Sequence, residues 1–153
     1  MTVALIVAAP GVQDVELVYP YYRLQESGYS VMVAAPVPTG DKAFQGIGGL
    51  WFPCDWCLPS HGTKHPDLLV IPGGVKAMEK LRLERDLIAF IREYHDAGGL
   101  IASICSGAQL LISARIVNGK RIAAYPAMRV DVENAGAEFI DAPAVVDGNI
   151  VTA

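Results

Sequence analysis

Apolar positions along the chain fall into two rhythms. Short, nearly unbroken apolar runs occupy residues 3–8, 30–35, 67–71 and 100–104, each closed by Pro, Gly or small polar residues. Runs of this length and composition predict strands buried on both faces. Between them the apolar residues recur at helical spacing. Over residues 13–27, Val15, Val18, Tyr19 and Tyr22 share one face, expected to be the buried one, with Gly28 as the stop. Pro20 lies inside this pattern and predicts a bend. Residues 84–97 repeat the pattern through Leu87, Ile88, Ile91 and Tyr94, closed by Gly98-Gly99, and residues 106–114 form a helix directly after the fourth run. Further on, the pattern predicts a strand at 121–124, a short helix at 127–134, and short strands at 138–140, 144–146 and 150–153, with Asp147-Gly148 as a hairpin turn. Residues 36–66 are the least regular, rich in Pro and Gly, with short strands expected near 45–50 and 51–55.

Strand and helix in alternation predict an α/β fold: residues 1–153 as a single domain, doubly wound and flavodoxin-like, with a mostly parallel sheet and helices on both faces. Sites in such sheets form beyond the carboxyl ends of the strands. That directs attention to residues 9–16, 72–79, 104–107 and 125–128. Composition adds limits. The chain has 153 residues, 52% hydrophobic and 18% charged, enough apolar content for a real core. A net charge of −4 argues against a nucleic-acid or anionic-membrane surface, which would need a basic face. No run approaches the ~18 apolar residues of a membrane span. The first apolar run lacks the basic flank of a signal peptide and is read as a strand. Three cysteines, an odd count without secretory context, suggest a reduced, cytoplasmic protein.

Cys105 stands out among candidate chemical groups. It falls between a buried strand and a helix, within Ser103-Ile104-Cys105-Ser106-Gly107. Small neighbours allow the sharp turn that lifts a nucleophile out of a sheet. Unpaired N–H groups at the following helix start are expected to favour thiolate. The competing reading is a buried structural cysteine. Glu16, beside Val15, Val18 and Tyr19, is placed to face the sheet end and share a proton with a sulfur, whereas Asp14 is explained by the helix dipole alone. Gly73-Gly74 leaves bare backbone N–H groups at the same edge, suited to an oxyanion hole, though two glycines after a strand also make an ordinary turn.

Several segments together resemble the ThiJ/PfpI superfamily, with its class I glutamine-amidotransferase-like fold. They are Gln13-Asp14-Val15-Glu16-Leu17-Val18-Tyr19-Pro20, Val70-Ile71-Pro72-Gly73-Gly74, Ala102-Ser103-Ile104-Cys105-Ser106-Gly107-Ala108-Gln109-Leu110-Leu111, Ala124-Tyr125-Pro126, Asn134-Ala135-Gly136-Ala137-Glu138 and Val145-Val146-Asp147-Gly148-Asn149. The resemblance implies that Cys105 is the nucleophile and Glu16 its hydrogen-bonding carboxylate. It implies that Gly74 and Ser106 supply oxyanion-hole N–H groups, that Glu79 resembles an acid lent to a neighbouring subunit's site, and that Gln13 and Tyr125 line the pocket. PfpI-type peptidases carry His after the Cys, where this chain has Ser106; the deglycase branch carries His where Tyr125 stands. His95, late in a helix, is expected to be solvated, so a Cys-His relay lacks its base. Family members usually continue into a terminal helix, which is expected to be absent from these 153 residues.

Cys54, Cys57, His61 and His65 form a compact group of soft ligands that zinc would accept. The short spacers, and Pro53, Pro59 and Pro66 among them, favour packing instead, with the cysteines as small fillers beside Trp51, Phe52 and Trp56. No metal and no cofactor are therefore expected. These aromatics, with Tyr19, Tyr21 and Tyr22, suit a subunit contact, so a homodimer or higher homo-oligomer is expected. The functional expectation is a Cys-nucleophile enzyme acting on a small carbonyl or amide electrophile, as a hydrolase or amidase or as a glyoxalase- or deglycase-like enzyme. The alternatives are an isonitrile-hydratase-like lyase and a non-enzymatic redox sensor or chaperone-like stress protein. Nucleic acid and membrane are not expected partners.

Overall fold

The structure is a computed structural model and describes residues 2–37, 42–57 and 66–153. In chain order the strands are β1 (Val3–Val7), β2 (Ser30–Ala35), β3 (Ala43–Gln45), β4 (Trp51–Pro53), β5 (Trp56–Cys57), β6 (Leu68–Ile71), β7 (Leu100–Ser103), β8 (Arg121–Ile122), β9 (Glu138–Phe139), β10 (Val145–Asp147) and β11 (Ile150–Thr152). The helices are α1 (Asp14–Glu26), α2 (Val75–Leu81), α3 (Arg85–Asp96), α4 (Ala108–Ser113) and α5 (Arg129–Asn134). Among the described residues a seven-stranded sheet runs β10-β11-β7-β6-β1-β2-β5, parallel except for the β10–β11 hairpin. The chain leaves β1 toward β2 but leaves β6 toward β7 in the opposite direction. Right-handed crossovers therefore place α1 on one face and α3 on the other. The gap between the ends of β1 and β6 is the switch point where such folds carry sites.

The central strands have the predicted burial. Residues 4–9 are buried throughout, as are Leu69, Val70, Ile71 and Ile101. The α3 stripe buries Leu87, Ile91 and Tyr94, as its periodicity predicts.

Three expectations needed correction. In α1 it is Leu17, 1% exposed, that enters the core, with Val18, Tyr21 and Leu24 packed against it, while Val15, Tyr19 and Tyr22 face outward. Both stripes are apolar at helical spacing, and periodicity alone could not rank them. Residues 46–50, expected to be a strand, form the turn of the β3–β4 hairpin, where Gly49 has φ +98°. His95, expected to be solvated, has a side chain only 18% exposed. Its Nδ1 lies 3.1 Å from Asp96, and its Nε2 is buried without a partner among the described residues. The Asn149 amide donates to the carbonyls of His95 and Gly99, so the β10–β11 hairpin covers the end of α3. Helix α2 was not anticipated; its signal is the buried Ala77, Met78 and Leu81.

Candidate functional site

Three loops meet at the switch point. The first follows β1, the second follows β6, and the third follows β7. They approach backbone to backbone. A Cβ on Gly74 (φ +104°) would stand 2.7 Å from both the Gln13 nitrogen and the Gly11 oxygen. Only glycine permits this approach. The Gln13 N–H donates to the Gly73 carbonyl at 3.2 Å, tying the start of α1 to the end of β6.

Cys105 sits at φ +57°, left-handed backbone that costs a non-glycine residue about 1–3 kcal/mol and persists only when neighbours fix it. Its N–H donates to the Ala153 carbonyl at 2.7 Å, just past β11, and its own carbonyl accepts from the Tyr125 N–H at 3.3 Å. The Ile104 N–H donates to Ile71 at 3.0 Å. Gly107 packs so close to β6 that a Cβ there would stand 2.4 Å from the Ile71 oxygen. The strand–turn–helix elbow expected from the small residues around Cys105 is thus anchored on three sides. The turn is a single 3₁₀ turn, Cys105–Gly107, and only then does α4 begin.

Glu16 reaches the same point from α1. Its Oε2 accepts the Gly73 N–H at 2.7 Å, and its carboxylate hydrogen-bonds the Cys105 side chain. Gly73 must lack a side chain. A Cβ would lie 2.7 Å from Glu16 Oε2, 2.9 Å from the Ser106 nitrogen and 3.0 Å from Cys105 Cβ. Ser106, 1% exposed, accepts the Gly74 N–H on its Oγ at 2.9 Å.

Two consequences depart from the sequence expectations. Burial, reinforced by the charge of Glu16 and its hydrogen bond, pushes the Cys105 thiol above its ordinary value, against the opposing pull of the Ser106 N–H and hydroxyl. A 3₁₀ turn leading into a six-residue helix cannot outweigh burial together with a neighbouring carboxylate. The thiol holds its proton in the resting site. Second, the two glycine N–H groups expected to face an oxyanion are both engaged, Gly73 with Glu16 and Gly74 with Ser106.

The structure therefore brings together Cys105, Glu16, Gly73, Gly74 and Ser106. Gln13 and Tyr125 join through their backbones, with the Tyr125 ring half exposed. Glu79 stands exposed on the outer side of α2. In the Cys/His cluster, the Cys57 side chain, His61 and His65 lie outside the described residues. Cys54 is buried, with its Sγ 3.1 Å from the Trp56 carbonyl oxygen. Phe52 packs on Phe44 at 5.8 Å, whereas Trp51 is 69% exposed. Among the described residues, no three His, Cys, Asp or Glu side chains are grouped to hold a metal ion, and no helix is long and apolar enough to cross a membrane.

One residue was underread. Asp14 does more than complement the helix dipole. Its carboxylate accepts the N–H groups of Gly48 and Leu50, while Gly11 donates to Gln45 and Ile47 donates to Val12. The β3–β4 turn is thereby strapped onto the loop that presents Glu16. Its signal in the sequence is Gly46-x-Gly48, since a Cβ at either glycine would collide with the Asp14 carboxylate.

Comparison with known proteins places this geometry in context. The DJ-1/PfpI family model matches residues 1–153. A deglycase from Pyrococcus abyssi is 39% identical over 148 residues, covering 97% of this chain and 87% of its own. The Drosophila melanogaster protein dj-1beta is 30% identical over 152 residues, covering 97% and 79%. Among solved structures, a two-domain protein from Anabaena variabilis with DJ-1/ThiJ/PfpI-like and ferritin-like domains matches with a TM-score of 0.93 and 31% identity. The match covers 100% of this chain and 43% of that one.

Proposed function

From the premise that this chain belongs to the DJ-1/PfpI family, we propose that it is a cysteine-dependent enzyme acting on a small carbonyl electrophile, as a deglycase- or hydrolase-like catalyst. The observation that carries this reading is the Cys105 side chain on its strained elbow, beside a Glu16 carboxylate fixed by the Gly73 N–H. Attack forms a bond from Sγ to the carbonyl carbon. The thiol proton passes to Glu16, and the carbonyl π pair moves onto oxygen. Glu16 then returns that proton to the oxygen, or to the leaving group of an amide. The pair needs no histidine, because the base is a carboxylate already in contact with the thiol. Relatives named deglycases support the carbonyl class.

The Ser106 hydroxyl supports a second reading, the isonitrile-hydratase-like lyase, since a hydroxyl residue follows the cysteine in those enzymes. Turnover of methylglyoxal, small amides and isonitriles, measured beside Cys105→Ser, separates the readings. Carbonyl turnover abolished by Cys105→Ser is expected. Turnover of isonitriles alone selects the lyase. Stoichiometric addition of two oxygens to Cys105 under mild peroxide, with no turnover of any substrate, selects the redox sensor.

A homo-oligomer belongs to the same proposal. Val15, Tyr19 and Tyr22 form an exposed stripe on α1, and Leu50 and Trp51 lie exposed on the hairpin strapped to that helix. A second copy of this chain is the occupant we assign to that surface. Sedimentation at micromolar concentration is expected to give a mass above the 16.3 kDa monomer, and a monomer alone overturns the assignment.

A further inference from the structure

We infer that the Ser106 hydroxyl, held by the Gly74 N–H, is the donor that follows the negative charge of the reaction, from the sulfur of Cys105 to the oxygen of the substrate. The inference rests on the nucleophilic role proposed for Cys105.

The argument begins with a count of donors. Two backbone N–H groups at the end of β6 are placed where an oxyanion hole would be built. The Gly73 N–H is bound to Glu16 at 2.7 Å, and the Gly74 N–H is bound to Ser106 Oγ at 2.9 Å. Neither can bind a substrate oxygen without first losing its present partner, which is costly. Among the described residues, the other donors beside the sulfur belong to Ser106: its N–H and its O–H. A hydroxyl has one proton to donate and two lone pairs to accept with. The Gly74 N–H fills one lone pair and fixes the oxygen. Ser106 is buried away from water, so its proton needs a protein acceptor, and we assign to it the sulfur of Cys105, the preceding residue in the same turn.

The hydroxyl is therefore polarised from behind and aimed forward. When the S–C bond forms, sulfur loses its negative charge and the former carbonyl oxygen, two bonds away, gains it. Rotation about the Cβ–Oγ bond lets the same O–H turn from sulfur to oxygen while Gly74 keeps its hold on Oγ. Ser106 transfers no proton in this step. The proton taken from the thiol resides on Glu16, and the electron pair moves from the π bond to oxygen, so the step balances without another reactant. The bare α-carbon of Gly73 leaves room for this crowding of Glu16, Ser106 and Cys105.

The test uses Ser106→Ala, Ser106→Thr and Ser106→Val with two readouts. One is the rate of Cys105 alkylation against pH, which requires no turnover. The other is kcat and KM on a substrate whose conversion Cys105→Ser abolishes. Ser106→Ala is expected to raise the thiol pKa and to lower kcat by about 10- to 100-fold, with KM little changed. One oxyanion donor is worth about 100-fold or more, and the freed Gly74 N–H can recover part of that. Ser106→Thr is expected to restore both readouts, and its isostere Ser106→Val to lose both. The Thr–Val pair decides the matter should the alanine variant fail to fold. Ser106→Ala with an unchanged thiol pKa and an unchanged or raised kcat overturns the inference, because the hydroxyl would then be merely blocking Gly74. A failure of the nucleophile assignment looks different: turnover would survive Cys105→Ser whatever the Ser106 variants do to the thiol.

Discussion

Replacing Glu16 by glutamine separates charge from shape. The amide keeps the length of the side chain and an oxygen for the Gly73 N–H, whose bond to Oε2 is 2.7 Å. What disappears is the negative charge and the ability to take a proton. Three quantities should move differently. Turnover loses general acid–base assistance, about 100-fold, or about 2.7 kcal/mol at 1.36 kcal/mol per tenfold. Stability loses the difference between a charge-assisted hydrogen bond and a neutral one, about 0.5–2 kcal/mol. The thiol moves the other way. Burial, the largest cause of its raised pKa, remains, but the charge of Glu16 and its hydrogen bond to the thiol are gone. The thiol pKa should fall, and alkylation at neutral pH should become faster while catalysis becomes slower. Paired measurements of kcat/KM and iodoacetamide rate on one folded preparation read both. Full turnover in Glu16→Gln, or slower alkylation with a higher thiol pKa, would refute the argument that this carboxylate holds the thiol protonated and then accepts its proton.

Three further outcomes are expected. Gly73→Ala puts a methyl group 2.9 Å from the Ser106 nitrogen and 3.0 Å from Cys105 Cβ, neither of which can yield as a flexible chain end can. Denaturant titration should show a loss of about 1–3 kcal/mol, and turnover should fall about 100-fold from misplacement of the elbow. Because the folded thiol titrates above its ordinary 9.0, the native state keeps a proton that the unfolded chain releases. Stability should therefore fall as pH rises from there toward the folded value, and Cys105→Ala should flatten that slope in alkaline unfolding curves. Burial raises the carboxyl of Asp14, but bonds from Gly48, Leu50 and its own N–H outweigh it and hold the group below its ordinary 3.8. The strap it forms is present above that value and is lost as pH falls through the lower folded one. Protection of the Gly48 and Leu50 amides from hydrogen exchange, relative to the unfolded chain at the same pH, should fall in acid, and in Asp14→Asn it should be low already at neutral pH.

The sheet was legible because its central strands are continuous apolar runs with Gly or Pro punctuation, a pattern that requires no knowledge of partners. Cys105 was legible for a similar local reason: a sharp turn needs small neighbours, and Ser103, Ser106 and Gly107 supply them. Glu16 was reached through the wrong stripe of α1. Its position survives that error because it precedes Leu17 and lies beside either apolar face. Long-range pairing escaped the sequence. The contact from Asp14 to Gly48 spans 34 residues, and whether an N–H of Gly73 or Gly74 is free depends on where two side chains from other loops come to rest. The same holds for the thiol, whose titration follows its neighbours in space more than its place at a helix start.

The bond from the Cys105 N–H to the Ala153 carbonyl, with the Ala153 N–H returned to Ser103, also sets a schedule. During synthesis β1, β2, β6 and β7 all emerge before the segment that completes the elbow. At about 5–20 residues per second, the stretch from 105 to 153 takes roughly 2–10 seconds to make. Through that interval the nascent chain carries Cys105 without the acceptor that holds it in left-handed backbone. The geometry of the elbow therefore arrives with β11, which makes the conformation of Cys105 a report that β11 has joined β7.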